Sequence, residues 1–179
     1  EWVIKESLRL LKIFAQEGIA LSFSINISPR QFRQKSFVQK IHDIVDELGI
    51  ESALLRQIEF EIVENTALES ISHTNDTIRE MREMGISFAL DDFGTGYSSL
   101  SYLRSFPVDV VKIDKLFVDE IETDEGASAL VQAILRLGLG LTFEVVAEGI
   151  ETPAESAACA EIGFTHAQGF HLGRPRPLD

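Results

Sequence analysis

The sequence predicts an α/β fold, a (β/α)8 TIM-like barrel incomplete at its N-terminus, on three observations. Hydrophobic spacing switches repeatedly between the period of a strand and that of a helix. About six short strands emerge in this way, each followed by a helical stretch, which is the pattern of a parallel sheet covered by helices. Every strand also ends in a polar or charged group: Asn26; Glu61 and Glu64; Asp91 and Asp92; Lys112 and Asp114; Glu148 and Glu151; Gln168. An open doubly wound sheet lines its site only with loops near the switch point, whereas a closed barrel gathers all strand ends around one mouth. Such a barrel takes eight strands and about 250 residues. With 179 residues here, the expectation is a single domain over 1–179, with two strands lying upstream of Glu1.

Taken in order, Trp2, Val3, Leu8, Leu11 and Phe14, widened by Leu10 and Ile13, give helical spacing, and Gly18 supplies a stop. In "ALSFSINIS", Leu21, Phe23, Ile25 and Ile27 alternate with Ser22, Ser24, Asn26 and Ser28, which is strand spacing. A helix through Phe37, Ile41, Ile44, Val45 and Leu48 ends at Gly49. The unit then recurs: strand "QIEFEIVE" and helix "HTNDTIREMREMG", strand "ISFALDD" and a short helix near "SSLSYLRSF", strand "VDVVKID" and helix "ASALVQAILRLGLG". Strand "TFEVVAEG", helix "PAESAACAEIG" and a short strand around "THAQG" follow, and "GRPRPLD" reads as a surface extension.

Composition narrows the function. A hydrophobic content of 45% is ample for a packed core. The formal net charge of −13 opposes attraction to a nucleic-acid polymer, so a phosphate substrate would need metal cations or local arginines to be admitted. The single cysteine, Cys159, cannot form an internal disulfide and reads as a small apolar residue on a helix face, which suits a reducing cytoplasm. No apolar run approaches the roughly 20 residues of a membrane span. The opening residues carry too many charges for a signal peptide. The segment is therefore expected to be cytoplasmic and without membrane contact of its own, with a tether to the inner membrane left to upstream domains.

Apart from Lys112, the groups at the strand ends are carboxylates and the amides of Asn26 and Gln168, hard oxygen ligands suited to magnesium or manganese. His42, His73, His166 and His171 form no zinc-binding pattern. Asp91 and Asp92 have a plain reading as a helix cap followed by a glycine turn. A cap uses one aspartate, and the second then suffers its neighbour's field unless a cation compensates it. Two adjacent aspartates that each face an ion would suit a two-metal phosphoryl-transfer site. Most of the remaining groups have a local alternative: an exposed pair for Glu61 and Glu64, snorkelling or charge compensation for Lys112, a turn at Gly149 for Glu148 and Glu151, satisfaction of backbone groups for Gln168, an Asx-turn for Asn26. Convergence of all of them on one rim favours a shared site.

These residues sit in segments that resemble a known family. "NISPRQF" is similar to its N-x-S-x-x-Q segment, "EIVEN" to E-x-T-E, and "DDFGTGYSSLSYL" to the loop after a double aspartate. "VVKID" resembles its lysine strand, "VVAEGIET" its A-E-G-V-E segment and "AQGFHLGRP" its terminal Q-G segment. In order, and from one end of the chain to the other, they resemble the EAL domains, phosphodiesterases of the bacterial second messenger cyclic di-GMP. The resemblance implies a barrel that opens one phosphodiester bond of cyclic di-GMP to give linear pGpG, with two Mg2+ or Mn2+ ions. It implies metal ligation by Asn26, Glu61 and Asp91, with Asp92 serving the second ion and Glu148 binding metal or its water. Lys112 would hold the attacking water, Glu151 would assist, and Gln168 and Asp114 would meet the substrate. Glu64 would anchor the loop carrying Thr95, Tyr97 and Ser98, which the family also uses for homodimerisation. Two departures stand out: Val63 replaces the family's usual threonine, and the Glu-Ala-Leu segment that names the family is absent. The chain begins at a place resembling the family's "WVLE", so truncation is the expected cause. The alternatives are a catalytically inactive cyclic di-GMP receptor or protein-interaction module, and a Schiff-base enzyme using Lys112, which the surrounding acids disfavour.

Overall fold

The computed structural model describes residues 1–94, 103–121 and 123–177. Thr95, Tyr97, Ser98 and most of the short helix expected near "SSLSYLRSF" lie outside the described residues. The elements are α1 (Trp2–Gln16), β1 (Phe23–Asn26), α2 (Pro29–Phe32), α3 (Phe37–Leu48), α4 (Ser52–Leu55), β2 (Ile58–Val63), α5 (Glu64–Glu69) and α6 (Ile71–Met84). They continue with β3 (Ser87–Phe93), β4 (Val110–Ile113), α7 (Lys115–Glu120), α8 (Glu125–Leu141), β5 (Glu144–Ala147), α9 (Pro153–Ile162) and β6 (His166–Ala167). The strands neighbour one another in chain order. The ladders β1–β2, β4–β5 and β5–β6 are parallel. This is the strand–helix succession of an incomplete (β/α)8 barrel, as the sequence predicts.

Two compact units divide the chain. One comprises Glu1–Ala89 with Phe106–Val108, the other Leu90–Ser105 with Asp109–Asp179. In the first unit the core is aromatic. The rings of Phe60 and Phe88 meet edge to face at 5.7 Å, Phe32 packs against Phe88 at 6.3 Å, and Phe37 packs against Phe60 at 6.1 Å. Because Phe32 and Phe37 belong to helices, Phe60 and Phe88 mark the helix-facing side of β2 and β3. Strand alternation then sends Glu59 and Glu61 to the other face, where Ser24 Oγ donates to Glu59 at 2.9 Å. The α1 stripe is rotated from the expected one. Ile4, Leu8 and Leu11 are buried, while Trp2 and Val3 stand 76% and 53% exposed. A helix turns about 100° per residue, so a stripe centred on Ile4 leaves its two predecessors outside.

In the second unit, Asp124 caps α8 by accepting from Gly126 N at 2.7 Å, and Val131 and Ile134 are buried. Thr152 and Glu155 form a reciprocal capping box at the start of α9, with Pro153 in the first turn. The α9 helix buries Cys159, as expected, and burial pushes its thiol up to about 11, so the sulfur is held as an inert thiol. The short helices α2, α4, α5 and α7 had no counterpart in the sequence reading. At four to six residues they are shorter than the window in which helical periodicity shows. Among the described residues no helix is long and apolar enough to cross a membrane.

Phe88 lies at the meeting point of the aromatic core and is fully buried. Phe88→Ala is expected to cost about 3–5 kcal/mol, the range for truncating a buried phenylalanine, measured as a lower urea midpoint. A loss under about 1 kcal/mol would contradict the packing described.

Candidate metal and active site

The acidic cluster forms at the ends of three strands of the second unit. β3 supplies Asp91 and Asp92, β4 supplies Lys112, and Glu148 follows β5 directly. Glu148 N donates to Ile113 O at 3.1 Å, which extends the β4–β5 ladder to this residue and fixes where its side chain starts. In a regular strand, adjacent residues point to opposite faces. Asp92 has φ of +53°, a left-handed conformation that interrupts that alternation. One carboxylate oxygen from each of Asp91, Asp92 and Glu148 consequently lies within 4.8 Å of the others.

Lys112 is 4% exposed. Its Nζ is 3.0 Å from Asp91 Oδ1 and 2.6 Å from Glu148 Oε1. A buried ammonium is stable only with such partners, and here they are two acids of the cluster. One ammonium facing three carboxylates leaves an excess of negative charge. The Asp92 carboxyl is accordingly pushed above the usual aspartate range, first by burial and then by the charges of Asp91 and Asp114, against a smaller opposing effect of Lys112. The donor set is all oxygen, closely spaced and under-neutralised, which fits a hard divalent cation.

The other residues singled out in the sequence divide into groups. Asp114 caps α7, accepting from Leu116 N at 2.8 Å, and its side chain hydrogen-bonds with Asp92. Glu151 is exposed and turned to Lys115, at 3.5 Å. Gln168 is also exposed, and its backbone donates to Ala147 O at 2.8 Å and accepts from Ile150 N at 3.0 Å. In the first unit, Asn26 and Glu61 are register partners at the C-terminal end of the β1–β2 ladder, Asn26 exposed and Glu61 buried. Glu64 opens α5 and is 2% exposed, so Glu61 and Glu64 are not the exposed pair weighed as an alternative. Lys115 was not singled out from the sequence. The signal available was its spacing of four from Asp119, with which it pairs at 2.7 Å.

A chain of alternating strands and helices with an oxygen-donor cluster at its strand ends describes a barrel-type domain with a candidate divalent-cation site. Comparison makes this specific. The family model described as "EAL domain" matches residues 1–175. The signaling protein YkoW of Bacillus subtilis is 38% identical over 99% of this chain, which covers 22% of that protein. MucR of Pseudomonas aeruginosa, named a bifunctional diguanylate cyclase/cyclic di-GMP phosphodiesterase, is 34% identical over the whole of this chain and 26% of its own length. The structure of the PaMucR phosphodiesterase in complex with c-di-GMP superposes with a TM-score of 0.88 at 34% identity, covering 98% of this chain and 70% of that one. The manganese/cy-diGMP complex of Klebsiella pneumoniae BlrP1 superposes at 0.81 with 27% identity, covering 96% of this chain and 44% of the other. This chain belongs to the EAL domain family. It spans about a quarter of the length of the curated relatives named here.

The cluster sets stability against charge. A carboxyl whose folded pKa is raised costs stability above that pKa, and the cost is relieved as pH falls toward the unfolded value, about 3.9. Asparagine removes the charge and also tolerates a left-handed backbone. Asp92→Asn is therefore expected to raise the melting midpoint of the metal-free protein at pH 7, with the gain shrinking below about pH 4. A lowered midpoint at pH 7 would contradict the account.

Proposed function

We propose that this chain is the catalytic portion of a metal-dependent phosphodiesterase that hydrolyses cyclic di-GMP to linear pGpG in bacterial second-messenger signalling. The observation that carries the reading is the approach of Asp91, Asp92 and Glu148 within 4.8 Å around a buried Lys112. The family match and the cyclic di-GMP complexes among its structural relatives support it. On this reading Asp91, Asp92 and Glu148 hold Mg2+ or Mn2+, two ions in the complete site. Asn26 and Glu61 are proposed metal ligands on the strength of the family match alone. Bound divalent ions would neutralise the acids and polarise a phosphoryl oxygen.

The chain's own groups have distinct parts in that reaction. Lys112 Nζ, already directed at Asp91 and Glu148, donates a hydrogen bond that orients the attacking water. Glu148 accepts a proton from that water as its oxygen bonds to phosphorus. The phosphorus–ester oxygen bond breaks, the departing sugar oxygen takes up a proton from solvent water, and the ring opens to a phosphate monoester and a hydroxyl. Asp114 and Gln168 are proposed substrate contacts, Glu151 a supporting acid, and Glu64 an anchor for the loop containing Thr95. The overall charge of −13 repels an anionic dinucleotide, which makes divalent ions a condition of binding as well as of chemistry.

The protein is expected to convert cyclic di-GMP to pGpG with Mn2+ or Mg2+, followed by chromatography, and to stop with excess EDTA. Asp91→Asn and Glu148→Gln are each expected to lower turnover by roughly 100-fold or more, equivalent to about 2.7 kcal/mol of barrier. Undiminished turnover in EDTA or in either variant would overturn the assignment. Tight dinucleotide binding with no turnover in any divalent metal would establish the receptor reading instead.

A further inference from the structure

Lys115 begins α7, one residue after the strand-end Asp114, and the chemistry above makes no use of it. Its side chain lies along the turn formed by residues 148–151. Gly149 has φ of +73°, and a Cβ built there would stand 2.6 Å from Lys115 Cβ and Cγ and 2.8 Å from Cδ. The lysine stem thus occupies the space that a side chain at position 149 would need. Beyond the stem, Nζ is 3.5 Å from Gly149 O and 3.5 Å from Glu151 Oε1, and Asp119 Oδ1 holds it at 2.7 Å.

The other side of the turn is as close. A Cβ on Gly169 would meet Ile150 O at 2.1 Å and Ile150 N at 2.3 Å. Ile150 N donates to Gln168 O at 3.0 Å, and His171 N donates to Ile150 O at 2.9 Å. The turn is pressed between a lysine stem and a backbone, with a glycine at each contact. Glu148 is its first residue. A Lys115–Asp119 pair one helical turn apart is worth little on an exposed surface, so the pair alone gives no reason for this placement. The stem against Gly149 and the reach of Nζ to two groups of the turn do.

We propose that Lys115 is a positioning residue for Glu148, holding the 148–151 turn so that the Glu148 carboxylate reaches Lys112 and the Asp91–Asp92 pair. Its consequence for metal affinity rests on the reading of that cluster as a divalent-cation site. Lys115 touches none of the reacting atoms and acts through the turn, as outer groups do when they orient metal ligands.

The test compares wild type, Lys115→Ala and Lys115→Arg without substrate, by amide hydrogen exchange, calorimetric Mn2+ titration and thermal melting. Lys115→Ala is expected to speed exchange at Ile150 and Glu151 and to weaken Mn2+ binding roughly 10-fold, with little change in melting midpoint. Lys115→Arg, which restores the charge and a long stem, is expected to recover most of both effects. Wild-type Mn2+ affinity or wild-type exchange in Lys115→Ala would overturn the proposal. Should wild type itself bind no Mn2+, the metal reading falls and the exchange measurement decides the clamp: acceleration confined to the turn upholds it, and unchanged rates end it.

Discussion

The ion pairs of Lys112 with Asp91 and Glu148 are the interaction on which the second unit's strand ends depend. At 3.0 and 2.6 Å they hold a buried ammonium between the ends of β3 and β5. Removing either acid would leave that charge poorly compensated, and removing the lysine would leave the acids to repel one another. The arrangement also carries an excess of negative charge, because Asp92 adds a third carboxylate that Lys112 offsets only in part. The Asp92 pKa is raised first by burial, and the neighbouring charges of Asp91 and Asp114 add to that. A divalent cation would resolve the imbalance, which is the physical basis of the metal-binding role proposed for the cluster.

The backbone around the cluster departs from regular geometry at two points. Asp92 takes a left-handed conformation at φ +53°, which a non-glycine residue adopts at some cost, and it thereby escapes the alternation that would separate it from Asp91. Past β5 the chain turns at Gly149, again with positive φ, where the stem of Lys115 excludes a side chain. A glycine adopts this conformation without steric cost, and the turn is fixed on either side by the ladder bond from Glu148 N to Ile113 O and by the bonds between Ile150 and residues 168 and 171.

Much of this was legible in the sequence because it depends on period and residue type. Ile25 against Ser24 and Asn26, and Phe60 against Glu59 and Glu61, display their faces directly, and the family motifs add the fold as a whole. Two adjacent aspartates also announced themselves, since neighbouring acids demand an explanation. What was not legible depends on angle and packing. The rotation of the α1 stripe that leaves Trp2 exposed is set by which residue of the helix faces the core, and the pattern Trp2, Val3, Leu8 admits more than one answer. The approach of Glu151 to Lys115 follows a turn with positive φ at Gly149, which no spacing reveals. Lys115 was invisible for a related reason: its stem matters because a glycine lies against it, and the two are 34 positions apart.

The central claim is that an under-neutralised set of oxygen donors at these strand ends binds a divalent cation. Anomalous diffraction from crystals soaked in Mn2+ and cyclic di-GMP tests it most directly. The account predicts a manganese peak ligated by Asp91 and Asp92, with Glu148 in contact with the ion or with water bound to it. Well-ordered carboxylates with no anomalous peak among them, at saturating manganese, would contradict it.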